Sequence, residues 1–388
     1  MKKFLLILLL LLSTTAFFAP KTILPGATQT QSYLPLLKGK RVGVFANATS
    51  RIGQQHLIDV LLKHHIHVVK IFAPEHGFRG DVDERVSNSV DEKTGIPIVS
   101  LYGKKLSPTA EDLQDVDVLV FDIQDVGVRF YTYISSLQKL METAIKNNKP
   151  LIILDRPNPN GFYVDGPVLE PQFKSFTGMQ PIPLVYGMTM GEYAKMLVGE
   201  NWLTLPAGKK AQNLKLTIIP CVHYTHKSLY IPPVKPSPNL PDIQSIYLYP
   251  SMGLMEATVM SVGRGTDKPF HEFGHPLLRT HFSFIPTPKT FAKSPLYENQ
   301  VCYGWKISGN QKTILKKINN KLQIKFLMQA YRAYPEKTNF FEGFSAAAGN
   351  NTLEELIKAG ASEKEIRKSW EPQLSEFKQI RQRYLIYQ

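Results

Sequence analysis

The sequence predicts an α/β protein: a Rossmann-like parallel-sheet domain followed by a smaller α+β domain, with the active-site cleft between them. Three observations predict it. Short continuous apolar runs, such as Val118-Leu119-Val120-Phe121 and Leu151-Ile152-Ile153-Leu154, read as strands buried on both faces. Helix-length segments separate them, which is the βαβ alternation of a parallel sheet. Beyond about residue 205 the texture changes, with Pro232-Pro233, Pro236, Pro238 and Pro241 marking an irregular crossing into a second unit.

Each element follows in order. Met1-Lys2-Lys3, an apolar stretch over 4–12 and small residues through Ala16 have the layout of an export signal. Residues 1–19 are therefore expected to be a signal peptide or a retained N-terminal anchor, and the protein periplasmic or extracellular. An uncleaved N-terminus would be its only membrane tether. The first domain is assigned to 38–205. It opens with a strand over 41–46, and Asn47-Ala48-Thr49-Ser50 makes a turn or helix cap. Apolar residues at 57, 58, 61 and 62 predict a helix over 54–65. Strands follow at 68–73 and 96–101, a short helical stretch near 109–113, then the strand at 118–121. Apolar spacing over 134–147 predicts the helix that leads to the strand at 151–154. The second domain, 206–388, closes with amphipathic helices at 352–358 and 363–384.

Composition and motifs exclude several function classes. A net charge of +14 favours an anionic polymer or surface. No helix-turn-helix, zinc-finger or RNA-binding pattern accompanies it, so nucleic acid is not expected as a partner. The first strand runs into Phe45-Ala46-Asn47-Ala48-Thr49, without the glycines that let a backbone approach a pyrophosphate. No nucleotide or other cofactor is expected. His271-Glu272-Phe273-Gly274-His275 fits the zinc-protease pattern H-E-x-x-H. Pro269, Gly274 and Pro276 make those residues a poor helix, so a loop without metal is expected. There is no G-x-S-x-G for a serine nucleophile. Cys221 and Cys302 are either a disulfide or two buried thiols.

Each of three early strands ends in a polar cluster. These are Pro74-Glu75-His76-Gly77-Phe78-Arg79, Asp122-Ile123-Gln124-Asp125-Val126-Gly127-Val128-Arg129-Phe130-Tyr131, and Asp155-Arg156-Pro157-Asn158. In an open α/β sheet, ligands bind outside the carboxyl ends of the strands. Three clusters on one edge read as an active site. Carboxylates, amides, arginines and tyrosines suit a polyol whose leaving oxygen must be protonated, as in glycoside hydrolysis.

The blocks Phe72-Ala-Pro-Glu-His-Gly-Phe-Arg-Gly80, Val120-Phe-Asp-Ile-Gln-Asp-Val-Gly-Val-Arg-Phe-Tyr-Thr-Tyr133 and Leu154-Asp-Arg-Pro-Asn-Pro159 resemble the exo-β-N-acetylmuramidase family. So do Asp165-Gly-Pro-Val-Leu-Glu170, Ile182-Pro-Leu-Val-Tyr-Gly-Met-Thr-Met-Gly-Glu192 and Ser261-Val-Gly-Arg-Gly-Thr266. The resemblance implies release of N-acetylmuramic acid from the non-reducing ends of peptidoglycan-derived saccharides. A non-catalytic binder of wall sugars is the alternative. Glu75, held between Pro74 and Gly77, is the first catalytic choice. Glu170, held extended by Pro171, is the second, with Asp122, Asp125 and Glu142 as rivals. The lactyl carboxylate of the substrate calls for an arginine, with Arg79, Arg129, Arg156 and Arg264 as candidates. His76, Asp122, Gln124, Asp125, Tyr131, Asp155, Asn158 and Glu256 complete the expected binding set. Ala257 and Leu277 depart from the family pattern.

Overall fold

The computed structural model describes residues 21–74, 78–79, 88–103 and 105–388. The leader, Glu75 and His76 lie outside the described residues. In chain order the first strands are β1 (Arg41–Ala46), the short pair β2 (Arg51–Ile52) and β3 (Gln55–His56), β4 (His67–Ala73), β5 (Ser89–Val90) and β6 (Pro97–Ser100). They are followed by β7 (Val118–Asp122), β8 (Leu151–Leu154), β9 (Asp165–Val168), β10 (Pro183–Val185) and β11 (Leu216–Ile219). Seven of these form one sheet in the order β11-β8-β7-β1-β4-β6-β5. Every pairing in it is parallel except that of β5 with β6.

Period-two alternation sorts the side chains to two faces. Val118, Val120, Ile152 and Leu154 pack with Tyr33 and Leu37 of α1 (Thr30–Leu37) and Leu57 and Leu61 of α2 (Leu57–Lys63). Leu119, Phe121, Leu151 and Ile153 face the other way. They pack with Leu137, Leu140 and Met141 of α3 (Tyr133–Lys146) and with Tyr193 and Leu197 of α4 (Met190–Gly199). Burial on both sides is why these strands read as unbroken apolar runs.

The second unit begins with α5 (Ile243–Met252) and carries a three-stranded antiparallel sheet, β12 (Glu272–His275), β13 (Phe282–Phe284) and β14 (Cys302–Lys306), with β14 central. Helices α6 (Gln311–Ile318), α7 (Ile324–Ala333), α8 (Phe344–Ala348), α9 (Thr352–Lys358) and α10 (Glu363–Gln382) follow. A single apolar cluster holds Phe270, Phe273 and Phe340 together with the α3 face of the large sheet, so one core runs through both units. In α10 the residues Ile366, Trp370, Leu374 and Phe377 make the buried stripe, and a Ser362/Glu365 capping box starts the helix. The tail then returns to the first unit, where the Tyr387 hydroxyl donates to Asp155 at 2.6 Å.

The expected two-domain α/β architecture is the observed one, with local differences. The helix expected over 54–65 is shortened to α2, because residues just before it pair as β2 and β3. Asn47 caps no helix; its Oδ1 accepts from the Thr49 amide at 2.9 Å and closes a turn. The stretch near 109–113 is a single 3-10 turn, Glu111–Leu113. The sheet also runs past residue 205, since β11 pairs in parallel with β8 at its edge. Cys221 and Cys302 are both free and buried.

Candidate active site

From β1 the chain builds outward through β4 and β6, then returns to the other side of β1 for β7. The topological switch point therefore lies between β1 and β7, where Ala46 stands in register with Asp122. Asn47 reaches from this point to the Tyr133 hydroxyl, donating at 2.9 Å. Tyr133 is the first residue of α3, and beside it opens a recess of about 140 Å³. Phe130, Tyr131 and Thr132 form its first wall, and Ser237, Asn239 and Leu240 of the proline-rich crossing form another. Tyr249, Arg264 and Phe270 close it from the second unit.

The recess is aromatic and rigid. Tyr131 lies edge-on to Tyr133 at 5.0 Å and to Tyr249 at 5.9 Å, and Tyr249 lies edge-on to Phe270 at 4.9 Å. The Tyr131 hydroxyl is fixed on the Pro236 carbonyl at 2.6 Å. Arg264 lies 5.2 Å over the Phe270 ring, and Glu256 accepts from its Nε and Nη2. Asn239 is buried; its Nδ2 donates to the Phe291 carbonyl at 3.1 Å, and its Oδ1 has no partner. A buried acceptor without a partner is costly unless something else supplies the donor.

Most of the polar residues expected in the site instead hold the fold beneath it. Asp122 takes the Arg156 fork at 2.5 and 2.9 Å, with both side chains buried. Burial pulls the Arg156 guanidinium down, but the Asp122 carboxylate more than offsets this and holds it above its ordinary value. Asp155 accepts from Thr189, Gly191 and Tyr387, which fixes the start of α4 and the C-terminal tail to the end of β8. Burial pushes its carboxyl up to about 6. Gln124 donates to the Asp125 and Pro157 carbonyls, both at 2.8 Å. Asn158 donates to the Met188 carbonyl at 2.8 Å and packs under Gly127. A Cβ at Gly127 would sit 2.3 Å from the Asn158 amide oxygen, and φ there is +76°.

Arg129 is also a correction to the expected binding set. It is buried, and its guanidinium donates to the carbonyls of Pro167, Ile182, Ala347 and Ala348. Arg79 is held by Asp91 and Asp59, and the Asp91 carboxylate keeps it above its ordinary value. Glu142 accepts from Gln138, Lys139 and the Thr204 amide along α3. Glu170 lies away from the recess, bonded by Gln172 at 2.6 Å and facing Trp202 and Trp370 in a separate groove beside α10. Of the candidate arginines, only Arg264 lines the recess.

The H-E-x-x-H residues are not on a loop, as expected, but mostly on β12, paired with β14. Gly274 and Pro276 exclude a helix there without excluding a strand. His271 is bonded to Asp242 at 2.9 Å, while His275 lies between the rings of Tyr297 and Tyr334. Among the described residues no group of three His, Cys, Asp or Glu side chains is placed to hold a metal.

Asp125 offers a pH test of this buried network. Its Oδ2 accepts from the Gly127 amide at 2.6 Å and from the Tyr186 hydroxyl, while Oδ1 has no partner. Burial pushes its carboxyl up to about 7, against an ordinary value of 3.8. Between those values the folded state keeps a proton that the unfolded chain releases, so stability falls as pH rises through that window. The expected result is that Asp125→Asn, which imitates the protonated acid, removes up to about 4 kcal/mol of this decline. Urea unfolding of both proteins from about pH 4 to about pH 7.5 reads the difference. Identical slopes would contradict it.

Asn239 and Ser237 were invisible as site residues in the sequence. They sit among prolines that signal only a boundary, and a short polar Ser-x-Asn spacing in an otherwise irregular crossing was the available sign.

Comparison with known proteins bears on the whole chain. The family described as exo-beta-N-acetylmuramidase NamZ, N-terminal, matches residues 42–244, and its C-terminal counterpart matches 247–387. The peptidoglycan beta-N-acetylmuramidase NamZ of Bacillus subtilis (strain 168) is 37% identical over 384 residues, covering 92% of this chain and 89% of that protein. A crystal structure of a DUF1343 family protein from Bacteroides fragilis superposes with a TM-score of 0.87 at 42% identity, covering 95% of this chain and 99% of the other. A second from the same organism gives 0.76 at 28% identity, covering 94% and 99%.

Proposed function

This chain belongs to the exo-β-N-acetylmuramidase NamZ family through both its halves, and from that premise we propose that it is a glycoside hydrolase releasing N-acetylmuramic acid from the non-reducing ends of peptidoglycan fragments. The observation that carries the reading is the aromatic recess at the sheet's switch point, with one arginine on its wall. Aromatic faces and edges suit the apolar side of a pyranose ring, and Arg264 is a planar, permanently charged donor for the lactyl carboxylate that marks this sugar.

The reaction breaks the bond between C1 and the leaving oxygen, puts a proton on that oxygen and adds water at C1. Glu75, two residues beyond the end of β4, is the proposed proton donor. Glu170 is not adjacent to the recess, and Glu256 is committed to Arg264. We therefore assign the role of internal nucleophile to the acetamido oxygen of the substrate, a known variant of glycoside hydrolysis. The N-terminal pattern of Met1 to Ala16 supports action outside the cytoplasm, where the polymer lies.

Turnover of matched chromogenic β-N-acetylmuraminide and β-N-acetylglucosaminide tests the reading. The muraminide should be hydrolysed and strongly preferred. Arg264→Gln should lower kcat/KM on the muraminide by about 1.5–3 kcal/mol, roughly 10- to 150-fold, while leaving the glucosaminide rate unmoved. No muraminide turnover by the native protein would overturn the hydrolase reading. Equal turnover of the two sugars would overturn lactyl recognition.

A further inference from the structure

Between Glu298 and Glu336 the chain contains no acidic residue, yet it carries Lys306, Lys312, Lys316, Lys317, Lys321 and Lys325, followed by Arg332. All are exposed. Lys306 stands in register with Glu272 across the small sheet. Among the described residues none of the others makes an ion pair. An amphipathic surface helix ordinarily intersperses both signs. Here the polar faces of two successive helices carry one sign only.

The charge lies on the outer faces of two helices that share one packing partner. Helices α6 and α7 both pack against α5, through Ile314 and Ile318 in the first and Leu327 and Met328 in the second. Their lysine-bearing faces therefore turn away from α5. On α6, Lys312 and Lys316 are one turn apart; on α7, Lys325, Gln329 and Arg332 follow at the same helical spacing. Beside α7 lies a recess of about 510 Å³ lined by Lys325, Arg332, Met328 and Ala333, with Trp305 of β14 also on its wall. Its one acid, Glu363, is paired with Arg367 at 2.8 Å. The Trp305 ring packs at 5.1 Å on Phe273, which is fully buried, so the indole is braced from behind. Cations around an indole make a surface for an anionic, ring-containing polymer rather than for a small neutral molecule.

The structure assigns to this face a second binding surface, separate from the switch-point recess, that docks the carboxylate-bearing peptidoglycan strand. It rests on the proposed function for the identity of the polymer; the charge and the recess stand without it. Each muramic acid of such a strand carries carboxylates, on its stem peptide where one is attached or on its free lactyl group where none is, and point cations match them without demanding a fixed register. Weak multivalent contact of this kind raises the local concentration of strand ends at the catalytic recess.

The test uses the full-length protein and a variant carrying Lys316→Glu, Lys317→Glu, Lys321→Glu and Lys325→Glu. Each is sedimented with purified insoluble peptidoglycan, with the same material after its carboxyl groups are amidated, and with phosphatidylglycerol vesicles. The native protein should pellet with untreated peptidoglycan, lose retention as salt is raised, and not pellet with the amidated wall. The variant's retention should fall about tenfold, with turnover of the small soluble muraminide unchanged. A milder variant, Lys316→Gln with Lys325→Gln, should give an intermediate loss and serves if charge reversal impairs folding. Undiminished pelleting of either variant, equal pelleting of amidated wall, or lysine-dependent pelleting with vesicles and not wall would overturn the assignment. If the lysines govern wall binding but the muraminide is not hydrolysed, the docking surface stands and the hydrolase reading falls.

Discussion

Glu75→Gln should abolish turnover while leaving the fold and sugar binding intact. The substitution is nearly isosteric, so packing survives, but an amide neither gives nor takes the catalytic proton. Groups in general acid–base roles contribute about 10²–10⁴-fold, and kcat on a natural disaccharide should fall by that factor. The residue stands just past the carboxyl end of β4, flanked in sequence by Pro74 and by His76-Gly77. A second substrate separates its possible roles. Nitrophenol leaves with little help, so a proton donor's loss should be partly spared on a nitrophenyl muraminide. Loss of a group that supports the acetamido nucleophile should affect both substrates together. A near-normal rate on the natural disaccharide would make Glu75 a loop acid without a chemical role.

Arg129→Met should destabilise the protein by about 3–5 kcal/mol, since it strips buried carbonyls of a donor at about 1–3 kcal/mol for each one left unsatisfied. Four carbonyls converge on this guanidinium, two from the β9–β10 region and two from the C-terminal end of α8. The last two belong to the negative end of a short helix, which suits a cation. Burial pulls its pKa down to about 9, so the group remains charged at neutral pH. Gly349, just past α8 with φ of +84°, makes the approach feasible; a Cβ there would lie 2.4 Å from the Arg129 Nη2. Methionine fills much of the volume but donates to none of the four oxygens; of these, Ile182 keeps the Leu169 amide at 3.1 Å. Lysine keeps the charge without the fork and should recover only part of the loss. Urea denaturation measures the change; a shift below about 0.5 kcal/mol, the range of an ordinary surface substitution, would show that the carbonyls find other donors.

The large sheet was legible because strands buried on both faces leave runs of β-branched residues that little else produces. The α3 helix was legible within a residue or so because one apolar stripe dominates it. The edge strand β11 was missed as part of the first domain, since an edge strand joins by backbone pairing and its half-exposed side chains carry no continuous apolar run. At the site, sequence placed the polar clusters at the correct strand ends but could not tell which side chains turn inward. Asp122 and Arg156 satisfy each other under the sheet edge, yet the same residue types would line a sugar pocket. Arg264 comes from a loop of the second unit and Asn239 from the crossing that leads to it, both far along the chain from the strands they face. Their convergence is a property of the tertiary fold and leaves no local spacing to read.

The bond from Tyr387 to Asp155 spans 232 positions along the chain. A polypeptide emerging from its amino end completes every strand of the large sheet long before the residue that fastens it exists. The fastening joins two parts of the chain that lie far apart in sequence, and contacts of such span slow the approach to the native state.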